Sequence, residues 1–195
     1  MIKILLFPIL LVAACLVSGS YGALHNQISY TVSPDYFHAF KFDQFHIPDA
    51  LHNRLGASLV GWHASWWMGF LIGVPVLIVA LILPGWRLYT SRCLISFAVV
   101  ASTALLVGLG ALAYASFTFG ETPPDWFWYP SAAIDRSAFA RAGFMHDFSY
   151  LGGFLGIFTA SLYLIVERIR FSRRSRKSTA ISPFPAPGEA VGERV

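Results

Sequence analysis

The feature that most constrains this chain is a set of three long apolar stretches almost free of charge. Trp62–Leu83 holds a single ionisable group, His63, at its start, and Cys93–Phe117 and Phe148–Val166 hold no charged residue. About 20 apolar residues cross roughly 30 Å of hydrocarbon as a helix. Lipid cannot hydrogen-bond an exposed backbone, so each stretch must be helical inside it. Composition agrees: of 195 residues, 56% are hydrophobic and 12% charged, and mean hydropathy is +0.60. A soluble domain carries about 25% charged residues. The expected fold class is all-α integral membrane, a four-helix transmembrane bundle with short amphipathic and aromatic helices on its outer face.

The N-terminus supplies the fourth span. Met1–Lys3 is a positive opening, Ile4–Val17 an apolar core, and Ser18–Gly22 a small-residue exit. That is also the anatomy of a cleavable signal peptide, and Val12-Ala13-Ala14-Cys15 resembles a lipobox. Apolar character continuing to Leu24 favours a retained span, and each of the three fates leaves residue 25 outside. The chain then divides into a first span 1–24, an outer aromatic helical segment 25–60, a second span 61–84, a cytoplasmic loop 85–92 and a third span 93–118. An outer loop 119–142, a fourth span 143–168 and a basic, disordered cytoplasmic tail 169–195 complete it. Cys15 and Cys93 lie too far apart along this path to form a disulfide.

Orientation follows from Lys and Arg, which gather on the cytoplasmic side. Of fourteen, ten share one side (Lys3, Arg87, Arg92, Arg168, Arg170, Arg173, Arg174, Arg176, Lys177 and Arg194) and four the other (Lys41, Arg54, Arg136 and Arg141). Seven of the ten acidic residues share that second side. Both termini are therefore expected in the cytoplasm. Anionic lipids are expected partners of the basic tail, at about 1 kcal/mol per basic residue, and no nucleic-acid partner is expected.

Small residues let helices approach in lipid. Gly61, Ser65, Gly69 and Gly73 form an i,i+4 stripe on the second span, and Ser149, Gly152, Gly153, Gly156 and Ala160 lie on one side of the fourth. These stripes predict contact between spans two and four, with homodimerisation as a rival. Pro75 is expected to bend the second helix. Outside, Ser33-Pro34-Asp35 reads as a helix start running to about Gln44, its Tyr36, Phe37, Phe40, Phe42 and Phe45 lying on the membrane or over the bundle mouth. Asp135 is placed to cap the helix entering the fourth span.

The run His25-Asn26-Gln27-Ile28-Ser29-Tyr30-Thr31-Val32-Ser33-Pro34-Asp35-Tyr36-Phe37, with Lys41-Phe42, Gln44-Phe45 and the later Gly61-Trp62, Trp66-Trp67 and Gly69, resembles a family of bacterial multi-pass membrane proteins of no known activity. The resemblance covers about the first 75 residues and implies a bacterial inner membrane.

All six histidines fall on the outer side. His63 and His146 start the second and fourth spans, with Asp147 beside His146, and these three are the candidates for a metal site. Against it, His63 points away from the glycine stripe while His146 faces the second helix. Interfacial hydrogen bonding is the plainer role for the histidines. Asp147 at a membrane edge needs a partner, for which Arg54, Arg136 and Arg141 are available. No nucleophile–base pair, phosphate loop or haem motif is visible in the spacing, so neither enzyme nor cofactor is expected. Two function classes follow: a scaffold or partner subunit docking a membrane or periplasmic protein through its outer aromatic face, or a small-ligand or metal-binding membrane protein using outer histidines and carboxylates.

Overall fold

The computed structural model describes residues 2–121 and 123–180, with side chains described through residue 176. Among the described residues all regular structure is helical. The long elements are α1 (Ile2–Val32), α4 (Arg54–Ser65), α5 (Met68–Ala80), α6 (Trp86–Thr118) and α7 (Arg136–Ala180). Between α1 and α4 lie α2 (Pro34–Tyr36), a π-helix (Phe37–Lys41), α3 (Phe42–Gln44) and a 3-10 turn (Asp49–Leu51). Three of these helices, α1, α6 and α7, are long and apolar enough to cross a membrane. The pair α4–α5 passes the same test only when taken together, and it is bent by 46°.

The bend sits at Trp66-Trp67, not at Pro75. Ser18 Oγ on α1 donates to the Ser65 carbonyl at 2.7 Å, the acceptor that the Gly69 N–H would use in a regular helix. Gly69 N–H turns instead to Trp66 O at 3.1 Å, and Phe70 N–H to Trp67 O at 3.0 Å. A side chain inserted into the hydrogen-bond ladder is a recognised cause of a sharp kink.

The small-residue stripes do pack, but against other partners than the sequence suggested. The Gly61–Gly73 stripe lies on α1: a Cβ on Gly69 would fall 2.5 Å from Ala14 O, and one on Gly73 2.9 Å from the Ala14 methyl. Gly152 and Gly156 lie on α6, where added Cβ atoms would come within 2.8 Å of Ala104 Cα and of Val100 Cγ1. Helices α5 and α7 meet more lightly, as where Gly153 faces the tip of Ile72. The physical reason is α1, whose own Ala14, Gly19 and Gly22 bring it closer to α4 and α5 than α7 can come. That helix also runs on past residue 24 to Val32, so His25, Asn26 and Ser29 are buried helix positions rather than an outer loop.

The segment between α1 and α4 forms a cap. Ser33 Oγ accepts from Tyr36 N–H at 3.1 Å, the expected helix start. Tyr36, Phe37 and Phe42 are buried with Ala57, Val60 and Phe139, so the aromatic face is turned down onto the bundle mouth. Asp35 Oδ2 pins this cap to the far loop by accepting from Ile134 N–H at 2.7 Å and Asp135 N–H at 3.2 Å. Asp135 in turn caps α7, its Oδ1 accepting from Ala138 N–H at 2.9 Å.

At the opposite end Lys3 Nζ donates to the carbonyls of Leu81 and Leu83, where α5 finishes. Helix α7 continues through residues 169–180, against the expectation of disorder there, and carries Arg170, Arg173, Arg174 and Arg176 along one continuous helix. The rest of that expectation, 181–195, lies outside the described residues. Cys15 and Cys93 are free thiols.

Candidate functional site

A cleft of about 70 Å³ opens among α1, α5, α6 and α7. Its floor is apolar, formed by residues such as Ala14, Ile72, Phe97 and Val100, and its outer end is polar, with Tyr21, His25, Asn26, His146, Ser149 and Tyr150. A water needs only about 10–15 Å³ of such space, so a chemical group of several heavy atoms can enter.

Its polar end is built from two helices. His25 and Ser149, 124 positions apart in the chain, meet with Nε2 and Oγ at 2.8 Å. One turn earlier on α7, His146 places Nε2 3.2 Å from the Tyr150 hydroxyl, and the two imidazoles meet edge to face at 5.6 Å. Asn26 Nδ2 donates across to the Ala57 carbonyl at 3.0 Å. Tyr36 of the cap closes the top, its ring 6.1 Å from that of His146. These groups are held tightly, with His25 only 4% exposed, Asn26 1% and His146 8%.

Three polar atoms at this end have no protein partner, the Tyr21 hydroxyl, His146 Nδ1 and Asn26 Oδ1. A buried polar atom left unpaired costs about 1–3 kcal/mol, so native proteins satisfy almost all of them with protein, water or ligand. The arrangement can therefore hold a group offering one donor to Asn26 and one donor or acceptor to His146. No side chain that is charged at neutral pH lines the cleft, so the group it suits is neutral.

The serine–imidazole pair invites comparison with acyl-transfer chemistry, which needs backbone donors aimed at a developing oxyanion. Ser149 lies inside α7, where the surrounding N–H groups are spent on helix hydrogen bonds. The pair is a buried hydrogen bond that fixes the imidazole.

Of the residues singled out from the sequence, His146 is at the site and faces His25 on α1, not the second helix. His63 is exposed on α4, away from the cleft. Among the described residues no three His, Cys, Asp or Glu side chains come together as a metal-binding group. Asp147 is exposed, and none of the three expected arginines reaches it. Arg54 donates to Thr31 Oγ1 at 3.1 Å, Arg136 stacks over the Tyr129 ring at 5.0 Å, and Arg141 Nε donates to the Ser137 carbonyl at 3.3 Å. The cation whose field Asp147 feels is Lys41 of the cap. His25, Asn26 and Ser149 were not singled out as site residues. The first two sit where α1 was expected to have ended.

Lys41 Nζ lies 4.5 Å above the Phe40 ring and 5.4 Å above that of Tyr36. Burial pushes its pKa down from 10.5 to about 8, with the Asp147 carboxylate offsetting part of the shift. The folded chain thus gives up this proton more readily than the unfolded chain. At pH 7 both states hold it and the cost of burying the charge is fully present. Between pH about 8 and 10.5 only the unfolded state holds it, so stability rises with pH. The melting midpoint of the native chain should rise across that window relative to Lys41→Met; a flat difference rejects this account.

No protein-family model matches the chain, and no curated protein or solved structure matches it either.

Proposed function

We propose that this chain is a four-span protein of the bacterial inner membrane, with both termini cytoplasmic, that binds a small neutral amphiphile in the interhelical cleft. The bent α4–α5 pair is then one broken span. The bias of Lys and Arg supports the orientation, because Lys3, Arg92 and Arg170 gather at one end of the bundle and the aromatic cap sits at the other. The observation that carries the binding reading is the set of unpartnered buried atoms, His146 Nδ1, Asn26 Oδ1 and the Tyr21 hydroxyl, at the head of a cleft with apolar lower walls. A ligand with a hydroxyl, amide or carbonyl head and an aliphatic or ring body matches both ends. Of the metal-or-ligand class read from the sequence, this keeps His146 and dispenses with His63 and Asp147.

The test is organic extraction and mass spectrometry of the protein purified in mild detergent, with two variants alongside. Gly153→Leu sets a side chain at a position that lines the cleft, where an added Cβ meets only the flexible tip of Ile72, at 3.3 Å. His146→Phe removes the polar head contact. The native chain should carry a stoichiometric neutral amphiphile that both variants lose while keeping their helical circular dichroism. Equal amphiphile content in all three proteins, or none in the native one, rejects the reading.

A second reading, docking of a membrane or periplasmic protein on the outer face, is favoured by one observation. Trp126 and Trp128 are 68% and 64% exposed, and Phe117 and Ile134 are each 91% exposed, all toward that end. Interfacial Trp also anchors membrane proteins at headgroup level, so exposure there fits the bilayer as readily as a partner. Replacing both tryptophans with Ser should leave amphiphile content unchanged if the cleft alone carries the function.

A further inference from the structure

A second recess, of about 330 Å³, lies at the basic end between α6 and α7, lined by Leu88, Arg92, Glu167, Arg170, Phe171 and Arg174. Glu167 sits between two guanidinium groups, with Oε2 3.0 Å from Arg92 Nε and Oε1 2.9 Å from Arg170 Nη1. Arg92 Nη1 donates further, to the Tyr163 hydroxyl at 3.3 Å. The carboxylate is only 11% exposed, so the two arginines are held in position by a group that cannot satisfy all ten of their N–H donors. Arg174, one turn beyond Arg170, brings a third guanidinium to the same wall. Three cations against one anion leave the recess with a net charge of +2.

We propose that this recess is a binding site for the phosphate of one anionic phospholipid headgroup. The chemistry fits because guanidinium groups meet phosphate oxygens through paired, charge-assisted hydrogen bonds. Basic pockets between membrane helices on the cytoplasmic side suit such headgroups. Its volume is at the lower end of small-ligand sites, about 300–1,000 Å³, which exceeds what a bare phosphate needs. Level decides between a lipid and a free anion. Arg92 immediately precedes the charge-free stretch Cys93–Phe117, and Glu167 immediately follows Phe148–Val166. The recess is therefore at the height where a headgroup phosphate lies if these stretches span the bilayer, and Leu88 and Phe171 offer apolar surface to the glycerol and first acyl carbons. Glu167 is a positioning residue here, holding Arg92 and Arg170 open toward the recess. The proposal rests on the membrane-spanning reading but not on the amphiphile in the cleft.

The experiment is native mass spectrometry of the full chain released from nanodiscs of phosphatidylcholine containing phosphatidylglycerol or cardiolipin. One anionic lipid should survive collisional delipidation longer than phosphatidylcholine does. The double variant Arg170→Gln/Arg174→Gln, which leaves the Arg92–Glu167 pair intact, should lose that lipid. A charge-matched control, Arg173→Gln/Arg176→Gln, changes two exposed arginines that do not line the recess. The recess variant should fall at least about tenfold further in anionic-lipid occupancy than the control, equivalent to about 1.4 kcal/mol. Equal losses in the two variants would mean diffuse surface charge and overturn the proposal, as would the absence of any anionic preference. Displacement of the lipid by millimolar inorganic phosphate would identify a free-anion site instead and also overturn it. Loss of amphiphile from the cleft would leave this result untouched, so the two readings fail separately.

Discussion

Gly61→Ala is expected to lower the stability of the purified protein by at least about 3 kcal/mol, the upper end of what overpacking a core ordinarily costs. Overpacking in a core costs about 1–3 kcal/mol when neighbouring side chains can shift. Here they cannot. A Cβ on Gly61 meets the backbone of α1, coming within 2.5 Å of Gly22 C and 2.9 Å of Ala23 N. The converse substitution at Gly22 meets the Gly61 carbonyl and the Ser65 side chain. To relieve the clash α1 must retreat, and that retreat stretches the Asn26–Ala57 and Ser18–Ser65 hydrogen bonds on either side. Gly110→Ala is the control, since a Cβ there meets nothing within 4 Å, and inside α6 it should stabilise by up to about 1 kcal/mol, the helix-propensity gain of Ala over Gly. Thermal or denaturant unfolding in detergent compares the two. Coincident midpoints for Gly61→Ala and Gly110→Ala would show that α1 does not seat on α4 as described.

That contact also marks how far the sequence can be read. The helical class was plain from Trp62–Leu83, Cys93–Phe117 and Phe148–Val166, because hydrocarbon admits so few backbone solutions. Helix starts at Ser33 and Asp135 were equally legible, since a cap is a local hydrogen bond between residues three apart. Pairing was not. Gly61, Ser65, Gly69 and Gly73 announce a face that something approaches closely, but no property of the stripe says whether its partner is α1 or α7. The bend in α4–α5 was hidden for the same reason: Pro75 is visible in the sequence, whereas Ser18 acting on the Ser65 carbonyl is 47 residues away. Where a kink depends on a neighbouring helix, local chemistry names the wrong residue.

The site was half legible. His146 stood out as an imidazole at a membrane edge. Its partners His25 and Ser149 could be joined only by knowing that α1 and α7 pass each other at that height. The decisive ambiguity was the length of α1. Polar residues from His25 onward read as the end of a span, because exposed to lipid they would be costly. Buried among α4, α7 and the cap, those polar groups instead face one another, and a helix can continue through them. Asn26, Gln27 and Ser29 are the trace of that interior surface. Asn26 recurs with Ser29 on one face at a helical spacing, and Gln27 Nε2 donates to Ser58 Oγ on α4 at 2.8 Å.

Phe42→Ala should detach the cap while leaving the long helices assembled. Phe42 is wholly buried, stacked on His52 at 4.5 Å and meeting His38 edge to face at 5.1 Å. Emptying such a site costs about 3–5 kcal/mol, and stability within a fold is not uniform. The cap's hold on the bundle runs through a small cluster of Tyr36, Phe37, Phe42 and Phe139 and through the Asp35 hydrogen bonds to the far loop. The contacts of α1 with α5 and of α6 with α7 lie elsewhere, deep in the main core. The loss should therefore fall on residues 34–53 first. Hydrogen exchange in detergent should show the amides of the π-helix, Phe37–Lys41, exchanging at least about tenfold faster, with those at the centre of α6 unchanged. A π-helix is rare and is found frequently at functional positions, and this one follows directly on Tyr36, whose ring lies 6.1 Å from that of His146. If the cleft holds the proposed amphiphile, opening the π-helix should quicken its release without altering which one is bound, because His25, Asn26, His146 and Ser149 remain on α1 and α7. Unchanged exchange at Phe37–Lys41, or equal acceleration along α6, would show that cap and bundle unfold as one unit and that the cap is no lid.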